Sequence, residues 1–204
     1  MPETLPTMSQ VHHQNKFPDC LYMKLEAILL ESHQIDLPIT IEFNEQWESL
    51  LGGRIKFGLK GGRLKLNLEN GHIPQKLRNL TGLKELKERE STENFQLPSM
   101  CRITTDGSEL NPAWLFEVKI GSQVLKGALP KEKLGTLTVN NQPCCVEATF
   151  EVELKYVHIT GVEGEGLWSE KDSINKQIIA KVRARKNLCG LLQPYSTSGC
   201  YEVQ

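Results

Sequence analysis

The chain has 204 residues, of which 39% are hydrophobic and 24% charged, so it can build a substantial core and is not a wholly disordered chain. Lys and Arg together number 24 and Asp and Glu number 25, which leaves a net charge of -1. This balance excludes a global attraction to nucleic acid or to an anionic membrane, so any such binding must come from a local patch.

The N-terminal segment, residues 1–19, is polar, contains three prolines and lacks the apolar core of a secretory signal. We expect a flexible leader here. No apolar run in the chain approaches the ~18 residues that a membrane-spanning helix needs. The sequence therefore predicts a cytoplasmic protein with no membrane partner. In that setting the six cysteines, none of which forms a CxxC pair, are expected to be free thiols that pack as small hydrophobes.

Strands are predicted in residues 20–30 and 37–43, with a helix as the rival interpretation of the first because Leu, Met, Glu, Lys and Ala favour helices. The apolar side of the first strand consists of Leu21, Met23, Leu25, Ala27 and Leu29. Residues 44–51 predict a short helix, with Asn44 as its N-cap and Trp47 on its apolar side.

The stretch RIKFGLKGGRLKLNLE, residues 54–69, alternates apolar and mostly basic side chains on both sides of Gly61-Gly62. A two-residue glycine loop supplies the positive φ angles of a primed turn, so we predict a hairpin in which Leu59 faces Leu64. One face of this hairpin is apolar. The other face carries five cations, Arg54, Lys56, Lys60, Arg63 and Lys65.

Leucines at every third position in residues 77–86 favour short helical turns, interrupted at Gly82. The charge-rich segment around residues 85–100 is predicted to be a mobile loop or a weak domain boundary.

Strand patterns resume in residues 113–129, where a second tight hairpin is predicted around Gly121. Residues 144–160 alternate most regularly of all and indicate one long strand. Residues 174–185 also alternate, so we predict that their basic side pairs with the acidic side of residues 144–160.

Many short strands with Gly and Pro turns indicate an all-β or β-dominated fold, an antiparallel β-sandwich or barrel with one or two short helices. The expected organisation is a single β-rich domain over residues 20–188, followed by a loosely ordered tail, residues 189–204.

The five cations of the predicted hairpin are the candidate anion-binding residues, because phosphate binding requires accessible Lys and Arg side chains. No aromatic residue accompanies them on that face, whereas binders of single-stranded nucleic acid add aromatic stacking platforms. The other interpretation is the solvated face of an ordinary antiparallel sheet.

A second candidate site is the glycine-rich loop at residues 160–173, which carries Glu163, Glu165 and Trp168. Two carboxylates and an aromatic ring suit contact with a sugar or an acid/base pair. The competing interpretation is a hairpin loop whose Trp168 folds back on the sheet.

No His or Cys spacing fits a metal site, and no catalytic or cofactor motif is present in the sequence. The sequence therefore favours a non-enzymatic interaction or scaffold module that binds a protein partner or a second copy of itself. The alternatives are a nucleic-acid-associated protein that uses the basic hairpin, and an enzyme whose site is assembled from distant residues.

Overall fold

A computed structural model describes residues 11–12, 17–31, 33–50, 53–87, 99–120, 123–163 and 195–201. The strands in these ranges are β1 Val11–His12, β2 Leu21–Leu25, β3 Ile28–Glu31, β4 Gln34–Phe43, β5 Gln46–Leu50, β6 Gly53–Leu59, β7 Gly61–Glu69, β8 Gly71–His72, β9 Gly82–Leu86, β10 Ser99–Gly107, β11 Pro112–Ile120, β12 Gly127–Val139, β13 Cys144–Glu151, β14 Val157–Glu163 and β15 Tyr195–Tyr201. Two 3-10 helices, Gln75–Leu77 and Leu154–Tyr156, are the helical elements of the described residues. The predicted β-dominated, antiparallel fold is confirmed.

The strands form three antiparallel sheets. A large sheet has the order β1-β15-β13-β7-β11-β10-β9, and a small sheet has the order β14-β6-β5. The five-stranded sheet has the order β2-β4-β12-β8, and β3 pairs with β4 beside β2. Two isolated backbone bridges, Arg78 with Gly135 and Lys87 with Ala128, connect the chain around β9 to β12 of the five-stranded sheet. The buried hydrophobic residues of the three sheets form one core.

Aromatic rings hold the sheets together in the centre of that core. Phe43 of the five-stranded sheet packs against Phe116 and Phe150 of the large sheet, with ring centroids 6.0 and 5.7 Å apart. Phe17, which precedes β2, meets Phe57 of the small sheet edge to face at 5.3 Å. Burying a side chain of this size contributes about 1.5–3 kcal/mol, so we expect truncation of any of these rings to be strongly destabilising.

The predicted hairpin around Gly61-Gly62 is wrong, although its alternation of buried and solvent-facing residues is right. Strand β6 pairs with β5 and β14, whereas β7 pairs with β11 and β13, so the chain crosses from the small to the large sheet at Lys60. The apolar side chains are buried as predicted: Ile55, Phe57, Leu59, Leu64, Leu66 and Leu68.

The two glycines serve close packing rather than a turn, since neither has φ in the left-handed region. A Cβ on Gly61 would lie 2.3 Å from the carbonyl oxygen of Phe116, and one on Gly62 would lie 2.2 Å from Phe150 Cε1. Because two strands that feed one core show the same alternation as two strands of a hairpin, periodicity could not distinguish these arrangements.

The predicted helix at residues 44–51 is also wrong, because its central residues form β5 on the edge of the small sheet. Asn44 Oδ1 accepts a hydrogen bond from the neighbouring Glu45 backbone N–H instead of capping a helix. Gln46 is buried, and its Oε1 accepts a hydrogen bond from the Cys20 backbone N–H at 3.2 Å. Sheet pairing and this buried contact outweigh the weak local preference for helix.

Three further predictions change in detail. The first predicted strand divides into β2, whose alternation is confirmed, and β3, in which Leu29 is 45% exposed rather than buried.

The helical turns predicted for residues 77–86 are reduced to the 3-10 helix that ends at Leu77, and residues 82–86 form strand β9. The second hairpin is wrong because β11 pairs with β7 and β10, while β12 pairs with β4; Gly121 itself lies outside the described residues.

The predicted long strand at residues 144–160 is interrupted by the second 3-10 helix and becomes β13 and β14. Residues 174–185 lie outside the described residues. Their predicted pairing with the acidic side of residues 144–160 therefore stays a prediction. Among the described residues, β13 pairs with β7 and with β15, and the Glu151 carboxylate pairs with Lys65 of β7.

Parts of both terminal segments belong to this architecture. Strand β1, within the predicted leader, pairs with β15, within the predicted tail, at the edge of the large sheet. Phe17 is 8% exposed and belongs to the core.

Candidate functional site

The five predicted anion-binding residues do not share one face. Arg54 and Lys56 lie on β6 of the small sheet, and Arg63 and Lys65 lie on β7 of the large sheet. Lys60 occupies the crossover between them. The structure therefore divides the predicted basic surface into two separate regions.

Four of these cations contact carboxylates. Arg54 Nε donates to Glu163 Oε2 at 2.7 Å, and Lys56 Nζ lies 3.3 Å from Glu45 Oε2. On the large sheet the pairs are Arg63 with Asp106, and Lys65 with Glu151. Exposed pairs of this kind contribute about 0–1 kcal/mol each. They lower the local positive potential, so an incoming phosphate has to compete with a carboxylate already in place.

Only one of the three predicted loop-contact residues lies in the described part of the chain. Glu163 ends β14 and holds Arg54, whereas Glu165 and Trp168 lie outside the described residues. A different tryptophan, Trp47 on β5, accompanies Arg54: the guanidinium Cζ lies 4.7 Å from the indole centroid, and Trp47 is 38% exposed. The sequence pattern does not reveal this contact, because a helix over residues 44–51 places Trp47 on its apolar side.

Glu45 belongs to the same region of the small sheet. Burial opposes its ionisation, but hydrogen bonds with Thr160 and Lys56 and attraction to nearby lysines together lower the pKa of its carboxyl below the ordinary value. Glu45 is therefore an anion at neutral pH and acts as a fixed counterion of Lys56.

A hollow of about 450 Å³ opens on the outer face of the large sheet, over β7, β11 and β13. Its polar lining comes from Arg63, Lys65, Asn67, Asn111, Thr149 and Glu151. Ala113 lies in the same lining and contributes little side-chain volume. Two of these residues, Arg63 and Lys65, are candidate anion-binding cations in the sequence. The hollow itself cannot be read from the sequence, because it forms only when three strands and one turn pair in this register.

A buried arginine fixes one wall of this hollow, the turn of residues 107–111. Arg78 is 8% exposed, and its guanidinium donates to the backbone carbonyls of Asp106 at 2.7 Å and Ser108 at 2.7 Å. The backbone N–H groups of Ile73 and Leu68 also donate to carbonyls of this turn. These hydrogen bonds hold in place a segment that is usually mobile in proteins.

An apolar surface lies elsewhere, at the edge of the five-stranded sheet. Ile28, Leu29 and Leu30 of β3 are consecutive and are 54%, 45% and 48% exposed. Strand β3 pairs with β4 on one side, and the described residues place no strand on its other side. We call these three residues the β3 apolar edge.

The prediction that all six cysteines are free thiols is wrong, since Cys145 is disulfide-bonded. In the register of β13 and β15 the residue opposite Cys145 is Cys200. Sequence spacing cannot reveal this juxtaposition. Three cysteines, Cys20, Cys101 and Cys144, are free and buried.

Burial determines the chemistry of these free thiols. It raises the pKa of Cys20 and that of Cys101 to about 12, so both remain protonated and unreactive near neutral pH. Neither is suited to act as a nucleophile.

The described ranges contain no group of three or more His, Cys, Asp or Glu side chains arranged to hold a metal ion. In the same part of the chain, no helix has the length and apolarity needed to cross a bilayer.

No protein-family model matches the sequence, and no curated protein shows significant similarity to it.

Proposed function

We propose that this protein is a non-enzymatic interaction module that associates with a second copy of itself through the β3 apolar edge. The observation that carries the proposal is the run of three consecutive exposed aliphatic residues, Ile28 to Leu30. Isolated exposed hydrophobic residues are normal on protein surfaces. Three in succession are unfavourable in water unless a partner covers them.

The position of these residues supports a contact between sheet edges. An edge strand presents unpaired backbone groups, and proteins usually protect such edges with charged side chains. Here Ile28, Leu29 and Leu30 are exposed aliphatic residues instead. The β-bulge between Leu29 and Glu31 limits regular strand addition, so side-chain contact is the main expected interaction.

The charges nearby favour a second copy as the partner. Before β3 in the chain, Lys24 and Glu26 form an ion pair with a 2.9 Å separation, so these two charges compensate each other. The net charge of the chain is only -1, so two copies repel each other weakly. A two-fold dimer brings the same apolar residues of each copy together.

The expected affinity is low. Fully burying a Leu or Ile side chain contributes about 1.5–3 kcal/mol, so covering a half-exposed one contributes about 1 kcal/mol. The dimer should therefore form only at high protein concentration.

Sedimentation velocity over a concentration series tests this proposal. The wild-type sedimentation coefficient should rise with concentration, and the double variant Ile28→Ser, Leu30→Ser should remain monomeric. The matched control is Leu83→Ser, Leu110→Ser, since these leucines are similarly exposed, at 51% and 52%, but lie on other elements. The control should associate like the wild type. A wild type that stays monomeric throughout, or equal loss in both variants, would contradict the proposal.

The nucleic-acid alternative receives less support from the geometry. Its five cations lie on two sheets, and four of them contact carboxylates. The enzyme alternative stays a prediction.

A further inference from the structure

We propose that the hollow on the large sheet binds a neutral, hydroxyl-rich ring of the size of one monosaccharide unit. This site is independent of the β3 apolar edge and adds a ligand to the proposed function. Its volume of about 450 Å³ lies within the range of small-molecule sites, about 300–1,000 Å³.

The register of the large sheet explains the shape of the hollow. Ala113 lies opposite Lys65 on one side and opposite Asp106 on the other, and Thr149 follows Lys65 in the same row. A methyl side chain therefore stands between a lysine and an aspartate. The low floor at Ala113, 3% exposed, leaves room for a ring between the polar side chains around it.

The charges around the hollow select a neutral ligand. Arg63 is paired with Asp106, and Lys65 Nζ lies 2.6 Å from Glu151 Oε2, so the four charges sum to zero. An anion would meet two carboxylates here, and a cation would meet two basic groups. A neutral polyol avoids both repulsions and can exchange hydrogen bonds with both kinds of group.

The hollow also offers hydrogen-bonding groups suited to hydroxyls. Asn67 and Asn111 each provide an amide donor and acceptor, and Thr149 provides a hydroxyl. Arg63 Nε donates to no acceptor among the described residues, but it is shielded from solvent, so the side-chain amides and the Thr149 hydroxyl are the groups that a ligand meets.

The wall of the hollow is rigid, which favours binding of a small ligand. Besides its two 2.7 Å hydrogen bonds, the guanidinium of Arg78 donates to the Gly107 carbonyl at 3.1 Å. A buried cation is thus used to fix the backbone of the turn that carries Asn111. Fixing the wall beforehand reduces the ordering cost that otherwise weakens small-ligand binding.

Two experiments on the full chain test this proposal. Saturation-transfer difference NMR measures binding of five neutral probes: D-glucose, D-galactose, D-mannose, N-acetyl-D-glucosamine and myo-inositol. Isothermal titration calorimetry measures binding of inorganic phosphate. At least one of the neutral probes should receive saturation, with an affinity in the millimolar range. Asn67→Ala and Asn111→Ala should each weaken that probe's binding about tenfold, the equivalent of one well-made hydrogen bond. The control Asn140→Ala removes an exposed amide away from the hollow and should leave binding unchanged.

Three results would overturn the proposal: no saturation of any of the five neutral probes, equal weakening by the Asn140 control, or binding of phosphate in preference to the neutral probes. Because Asn67 is exposed and its side chain is not part of the core, its replacement should leave the fold intact, which the melting curve of the variant verifies. Self-association in sedimentation reports on the β3 apolar edge alone, so failure of one proposal is distinguishable from failure of the other.

Discussion

Replacing Gly62 with alanine tests why the chain has two glycines where it leaves the small sheet. The added Cβ would lie 2.2 Å from Phe150 Cε1 and 2.7 Å from Phe150 Cζ, far inside van der Waals contact. Phe150 is 1% exposed, and the ring of Phe116 stands 5.7 Å from it, so it has little room to move. Overpacking of this kind costs typically 1–3 kcal/mol, and we expect about 3 kcal/mol here.

A double-mutant cycle with Phe150→Leu isolates the steric conflict. The single change Phe150→Leu should cost about 1–2 kcal/mol from lost burial. If Gly62→Ala acts only through the ring, the double variant should be less destabilised than the sum of the two, with a coupling of at least about 1.5 kcal/mol. Urea denaturation followed by far-UV circular dichroism measures all four free energies of unfolding.

Two other glycines, Gly61 beside Gly62 and Gly82 on β9, provide the controls. In Gly61→Ala the Cβ would meet the Phe116 carbonyl oxygen at 2.3 Å, and Phe150→Leu should not rescue a conflict with backbone. In Gly82→Ala no atom lies within 4 Å, and the positive φ of 90° should cost only about 1–2 kcal/mol. Strict additivity of Gly62→Ala with Phe150→Leu would refute the packing explanation.

Three further predictions concern other parts of the fold. Leu66→Asp should destabilise by several kcal/mol because the side chain is 1% exposed, whereas Lys65→Asp should cost less than about 1 kcal/mol; equal melting temperatures would contradict the assignment of faces. Arg78→Met should leave the carbonyls of residues 106–108 without their donor and cost about 2–4 kcal/mol, measured by urea denaturation, and an unchanged midpoint would rule out the clamp. Iodoacetamide at neutral pH should leave Cys101 unlabelled in the native protein, because burial raises the pKa of its thiol to about 12. It should label Cys145 only after reduction and unfolding, because Cys145 is disulfide-bonded. Peptide mass spectrometry measures both outcomes. The Cys101 thiol ionises at about pH 9 in the unfolded chain but only at about pH 12 in the folded protein. The free energy of unfolding should therefore fall as pH rises from about 9 to about 12.

Alternation along the chain predicted which side chains are buried but not which strands are neighbours. In residues 54–69 every expected core position is buried, yet β6 and β7 belong to different sheets. Period-two patterning depends on each strand having one face toward the core, and it contains no information on pairing. The Gly-Gly pair predicts a hairpin turn, whereas the close contact that requires Gly62 is with Phe150, which lies 88 positions away in the sequence.

The candidate sites were less predictable for the same reason. The hollow combines Lys65, Asn111 and Thr149, which are distant in sequence and meet only through the order of β11, β7 and β13. The β3 apolar edge could have been found, since three successive aliphatic residues conflict with strict alternation. A single predicted strand over residues 20–30 instead places Leu29 on its apolar side.

Hydrogen–deuterium exchange of the β3 amides at two protein concentrations, about a hundredfold apart, tests the proposed self-association most directly. Exchange of the amides in residues 28–31 should slow at the higher concentration, whereas β9, at the edge of the large sheet, should exchange at the same rate in both samples. The double variant Ile28→Ser, Leu30→Ser should lose the concentration dependence. Exchange of residues 28–31 that is independent of concentration in the wild type, or protection that appears at β9 instead, would contradict an interface at the β3 apolar edge.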